Sequence, residues 1–117
     1  MKNNISLNLK GSSAKRMEFF LNRVNDDLKE VPFNWQGLHL SDKIISGHKF
    51  ISAGNCLLTI TTLLCDSYRD AIEIAKVNSF PVSNKAKWSL NGDFLYIVES
   101  SDEGKVSDIL SFFAGKE

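Results

Sequence analysis

The hydrophobic and polar positions of this chain alternate between two periods, and the switches between them mark out the elements. Ile5, Leu7 and Leu9 alternate with Ser6, Asn8 and Lys10, the period of a half-buried strand. Gly11 ends that run, and Ser12 or Ser13 suits the N-cap of a helix. Met17, Phe20, Leu21, Val24 and Leu28 then recur at helical spacing, opposite Lys15, Glu18, Asn22, Asp26 and Lys29. The helix is predicted to stop before Val31-Pro32, because a residue preceding proline avoids the α region. Residues 30–47 hold neither period, and a short strand near Gly37–Leu40 is the one element predicted there.

Regular patterning returns at Lys49–Ala53 and Cys56–Leu64, which flank Gly54-Asn55 and so predict a tight hairpin. A two-residue turn would set Ile51 opposite Leu58 and Phe50 opposite Thr59. Ser67 and Asp70 suit the start of a second helix with Tyr68, Ala71, Ile72 and Ala75 as its stripe, ending before Phe80-Pro81. Ala86–Leu90 and Asp93–Glu99 flank Asn91-Gly92, the strongest short-range hairpin signal. That turn sets Trp88 opposite Leu95 and Ala86 opposite Ile97, with Phe94 and Tyr96 on the other face. Ser100 and Glu103 are spaced as a capping box for a last helix, whose stripe is Val106, Ile109, Leu110 and Phe113 and whose stop is Gly115.

The predicted order is β-α-β-β-α-β-β-α. The fold class that follows is α+β, one antiparallel sheet with helices on one face. Its first six elements have the order of a ferredoxin-like βαββαβ plait, with an extra strand and a C-terminal helix added. No repeat or Pro/Gly-rich linker divides the 117 residues, so residues 1–117 are expected to form a single domain.

Composition narrows the function classes. The chain is 43% hydrophobic and 24% charged, as a globular protein is. Lys and Arg number 14 and so do Asp and Glu, which removes the basic surplus that a nucleic-acid binder uses to displace counterions. The charges are nevertheless uneven. Residues 1–29 carry Lys2, Lys10, Lys15, Arg16, Arg23 and Lys29 against Glu18, Asp26 and Asp27. Residues 93–117 carry Asp93, Glu99, Asp102, Glu103, Asp108 and Glu117 against Lys105 and Lys116. Solvated helix faces account for this, and complementary contact between subunits is the sharper reading. The N-terminus has no apolar signal region, and the run Cys56–Cys65 is too short to cross a bilayer, so a cytoplasmic, reducing location is expected. Cys56 and Cys65 are nine apart on one predicted strand, hence on opposite faces, and cannot pair with each other.

Catalytic signatures are sparse. No P-loop, G-x-S-x-G, G-x-G-x-x-G or C-x-x-C is present. His39, Asp42 and His48 match no zinc spacing, so no metal or other cofactor is expected. The carboxylates Glu99, Asp102 and Glu103 at a strand-to-helix junction are accounted for by capping. The predicted registers put Phe50, Leu57, Phe94 and Tyr96 on a sheet face away from the helices, and these are the candidate partner-binding residues. An apolar face of that size needs a cover: a second subunit, a small apolar ligand, stacked bases, or the 30–47 loop with Phe33, Trp35, Ile44 and Ile45.

The function expected from this reading is a non-enzymatic binding or assembly module that associates with itself or another protein through a sheet face or edge, most simply as a homodimer. The alternative is a small dimeric enzyme acting on an apolar molecule. Trp35, His39 and His48 would then be its ligand-binding residues, with Asn55 as a further polar group and Trp88 as a wall. RNA stacking on Phe50, Phe94 and Tyr96 comes third, since the basic-aromatic strand motif of RNA-recognition domains is absent.

Overall fold

The computed structural model describes Leu7 and residues 12–24, 28–52 and 57–113. Helix α1 (Ser12–Arg23) leads to a short strand β1 (Lys29–Val31). Two 3-10 turns, Trp35–Gly37 and Ser41–Lys43, follow. Then come β2 (Ile44–Ser52), β3 (Leu58–Cys65), α2 (Tyr68–Val77), β4 (Ala86–Asn91), β5 (Phe94–Ser100) and α3 (Glu103–Phe113). The strands form one sheet in the order β1-β2-β3-β5-β4, every neighbour antiparallel. The α+β class and the antiparallel sheet are as expected. The plait order is not reproduced, although one part of it is. Strands β3 and β4 both run antiparallel to β5 and so parallel to each other, and α2 joins them across it as a split crossover. The strand expected before α1 lies outside the described residues except for Leu7, which is buried.

Local chemistry explains most boundaries. Ser67 caps α2, its hydroxyl accepting the Asp70 N–H at 3.1 Å. Asp102 rather than Ser100 caps α3, its carboxylate accepting the Lys105 N–H at 3.3 Å, while the Ser100 hydroxyl accepts from Asp102 N–H. Helix α1 ends at Arg23, short of the Pro32 boundary, and Lys29–Val31 pairs with β2 as a strand. The strand expected at Gly37–Leu40 is replaced by the 3-10 turns.

The helices occupy both faces of the sheet, not one. On the first face Phe50, Leu58, Ile60, Phe94, Tyr96 and Val98 pack against Met17, Phe20 and Leu21 of α1 and Val106, Ile109 and Phe113 of α3. On the second, Leu63, Cys65 and Leu95 pack against Ala71, Ile74 and Ala75 of α2. There the segment after β1 also contributes Phe33, Trp35, Leu38 and Leu40, and β4 contributes Trp88 and Leu90. This arrangement follows from burial on both sides: β3 and β5 are buried at most positions, so each of their faces needs a cover. The 30–47 segment does fold over the sheet as one reading supposed, but over the face opposite Phe94 and Tyr96.

Two registers differ from those predicted. In the β2–β3 hairpin Phe50 faces Ile60 and Ser52 faces Leu58, one residue away from the expected pairing. A one-residue slip turns a side chain over. The Gly54-Asn55 turn and Cys56 lie outside the described residues. In the β4–β5 hairpin Asn91 pairs with Phe94, so the turn residues are Gly92 and Asp93. The loop still has two residues. Trp88 therefore keeps the face of Leu95 and Ile97, apart from Phe94 and Tyr96, but now sits opposite Ile97.

Candidate functional site

The apolar outer face expected from the sequence is inside the protein. Phe50 and Phe94 are each 1% exposed and Tyr96 is 0% exposed, all beneath α1 and α3. Tyr96 meets Phe113 edge-on at 5.3 Å between ring centroids. Among the four candidate partner residues only Leu57 reaches solvent, at 59% exposure, just before β3. Helices α3 and α1 cover the face expected to be open, and α2 with the 33–43 segment covers the other.

The second candidate group does not assemble. Trp35 lies over Gly47 and Leu63 on the α2 side of the sheet. His39 is exposed, and its backbone N–H and carbonyl are both bonded by the Asn78 side chain, at 2.9 and 3.0 Å. His48 projects from β2 on the opposite face, where it pairs across the sheet with Thr62. Its Nδ1 lies 2.6 Å from Glu30 Oε2, and its ring stacks along that of Phe50 at 6.2 Å. Two histidines on opposite faces of one sheet cannot share a ligand. No cluster of three His, Cys, Asp or Glu residues is placed to hold a metal ion among the described residues.

Around His48 there is an unusual concentration of hydroxyls. Ser46, Thr62 and Tyr96 share this face on β2, β3 and β5, and the hydroxyl of each is buried without a hydrogen-bond partner. Burial pushes the Tyr96 phenol above its ordinary value, and the nearby Ser89 hydroxyl opposes that shift without forming a well-shaped hydrogen bond. Cys65, on the other face, is a free buried thiol pushed up to about 12, first by burial and then by Asp70, Asp66 and Asp93. A thiol so reluctant to ionise is a poor nucleophile.

Among the described residues, a groove lies on either side of α3. One groove, of about 530 Å³, runs between the C-terminal end of α1 and α3. Val24, Ile109 and Phe112 supply its apolar lining, and Asp102, Lys105 and Asp108 its polar one. A second, of about 440 Å³, separates α3 from β4 and the turn before it, with Val106 and Leu110 among Ser83, Asn84, Lys87, Glu103, Ser107 and Ser111. The α3 stripe widens at Ile109, Leu110, Phe112 and Phe113, beyond what one sheet face can bury. This surface was not singled out from the sequence; the extra width at Phe112 and the acid surplus of residues 93–117 are the signals that could have marked it.

Fold and surface together define an α+β fold with both sheet faces covered and a groove on either side of α3. No protein-family model matches the chain, and no curated protein or solved structure matches it significantly. No helix among the described residues is long and apolar enough to cross a membrane.

Proposed function

We propose that this chain is a non-enzymatic binding module that takes a segment of a protein partner in the groove between α1 and α3. The observation that carries this reading is the composition of that groove. Val24, Ile109 and Phe112 form an apolar floor, and Asp102, Lys105 and Asp108 stand beside it, two carboxylates against one ammonium. Its volume of about 530 Å³ falls in the range of ligand sites. An aromatic or aliphatic side chain next to a cation matches both features: the ring leaves water on the floor while the cation meets the carboxylates. Stacking of bases on the sheet has no surface to use, because the aromatics it needs are buried. The two histidines of the enzyme reading stand apart, and neither lines either groove.

Selection of a displayed peptide library tests the proposal, run in parallel on the natural chain and on Asp108→Lys. Enriched peptides are expected to carry an aromatic or aliphatic residue beside Arg or Lys. They are expected to bind Asp108→Lys about tenfold or more weakly. Absence of enrichment, or peptides that bind both proteins equally, would overturn the reading.

A further inference from the structure

The α1–α3 side carries both halves of a complementary contact, which names an occupant for the groove. Phe19 is exposed on α1, at 54%, and the Arg23 guanidinium sits over its ring, 5.6 Å from the centroid. Val24, the residue after Arg23, enters the lining of the groove. Arg16 and Arg23 give the exposed side of α1 positive charge, while Asp102, Glu103 and Asp108 are exposed on or just before α3. Arg23 and Asp108 take part in neither the Lys43–Asp70 nor the His48–Glu30 ion pair. A two-fold interface demands this kind of surface, because each contact occurs twice and the patch must complement itself.

Resting on the proposed binding role of this groove, we propose that its occupant is a second copy of the chain. Each protomer of the dimer inserts its Phe19–Arg23 pair into the other's groove, the ring on Ile109 and Phe112 and the guanidinium against Asp108.

Sedimentation equilibrium of the full chain from low to high micromolar concentration is the test, with variants at three exposed positions chosen to leave the fold intact. The natural chain is expected to dimerise reversibly. Phe19→Ala and Arg23→Glu are each expected to raise the dimer Kd by about tenfold or more. Arg23→Glu combined with Asp108→Lys in the same chain is expected to recover most of the loss, since a two-fold axis restores the pair in swapped form. Matching thermal midpoints at a concentration low enough that every variant is monomeric confirm that the variants fold. A natural chain that stays monomeric throughout, or a dimer indifferent to all three changes, overturns the proposal. If the chain is monomeric yet library peptides still bind in an Asp108-dependent way, the groove stands as a binding site and only the second copy is lost as its occupant.

Discussion

Tyr96 combines two opposing effects in a single side chain. Its ring is fully enclosed and packs on Phe113, which stabilises the fold, while its hydroxyl is buried without a hydrogen-bond partner, which costs. Removing only the hydroxyl relieves the cost and keeps the packing. Tyr96→Phe is therefore expected to hold or raise the urea midpoint, whereas Tyr96→Ala should lose about 3–5 kcal/mol through the cavity it leaves. Trp88 is only half-buried, so Trp88→Ala should cost less than Tyr96→Ala, and urea titrations of the three variants check the ranking. The reverse ranking would follow had Tyr96 faced outward, as the sequence alone led one to expect.

Cys65 gives a prediction in pH. The folded state holds its thiol protonated, with a pKa raised from 9.0 to about 12. A raised folded value means that the folded chain binds the proton more tightly than the unfolded chain. The associated stability is complete below pH 9 and is lost as pH climbs from there toward 12. Tyr96 adds a decline of the same sign above its ordinary value of 10. Cys65→Ala should therefore show a shallower fall in stability across the window from pH 9 to 12, measured as the slope of the urea midpoint against pH.

Among the elements, β2 depends on the absence of a side chain. A Cβ at Gly47 would lie 2.8 Å from Trp35 and from Leu63, closer than atoms can approach. The missing Cβ lets Trp35 settle on the strand and brings the first 3-10 turn down with it. Gly47→Ala is expected to push Trp35 away and destabilise by about 1–3 kcal/mol, the cost of overpacking. Thermal unfolding measures the loss, and a red shift of tryptophan fluorescence in the folded protein reports the displaced ring. The β4–β5 turn depends on glycine for a different reason. Gly92 has φ of 61° and is the first of the two turn residues, the position at which a II′ turn needs glycine. Asn91 consequently stays in the strand, where its side chain donates to the Phe113 carbonyl at 2.5 Å and accepts from Arg16 at 3.3 Å. The Asn-Gly pair announced a two-residue turn. These contacts of Asn91 accompany the register one position further on, and nothing in a local pattern contains them.

At the scale of the molecule, a closed sheet needs its covering segments held in place. Asn78, at the C-terminal end of α2, does so for residues 35–43. Its amide donates to the Ile74 and His39 carbonyls and accepts from the His39 N–H. Asn78→Ala breaks the link to His39 and leaves β3 and β5 untouched. Amide hydrogen exchange is expected to accelerate in residues 35–43 while the central strands keep their protection. Uniform acceleration would show instead that the clasp supports the whole fold.

How the faces were divided separates what was legible in the sequence from what was not. The β-rich patterning of β3, β4 and β5, the stripes of α1 and α3, and the Asn91-Gly92 turn signal are local, and each produced an element of the right kind near the right residues. The last helix needs no more than Val106, Ile109, Leu110 and Phe113 at helical spacing to be recognised. Periodicity says that a strand has two faces but not which helix covers which. Placing α2 on one face and α1 with α3 on the other depends on contacts between segments distant in the chain. The three-residue strand β1 is too short to show a period, and the 3-10 turns at 35–43 are held by Gly47, Leu63 and Asn78 rather than by their own composition. The groove beside α3 belongs to the same category. Its acidic residues and its surplus of apolar ones were visible along the chain, but only the packing of α1 against α3 leaves Phe112 and Asp108 side by side on an open surface. Local free-energy preferences act over a few residues and can be read in order, whereas burial is decided by which distant surfaces meet.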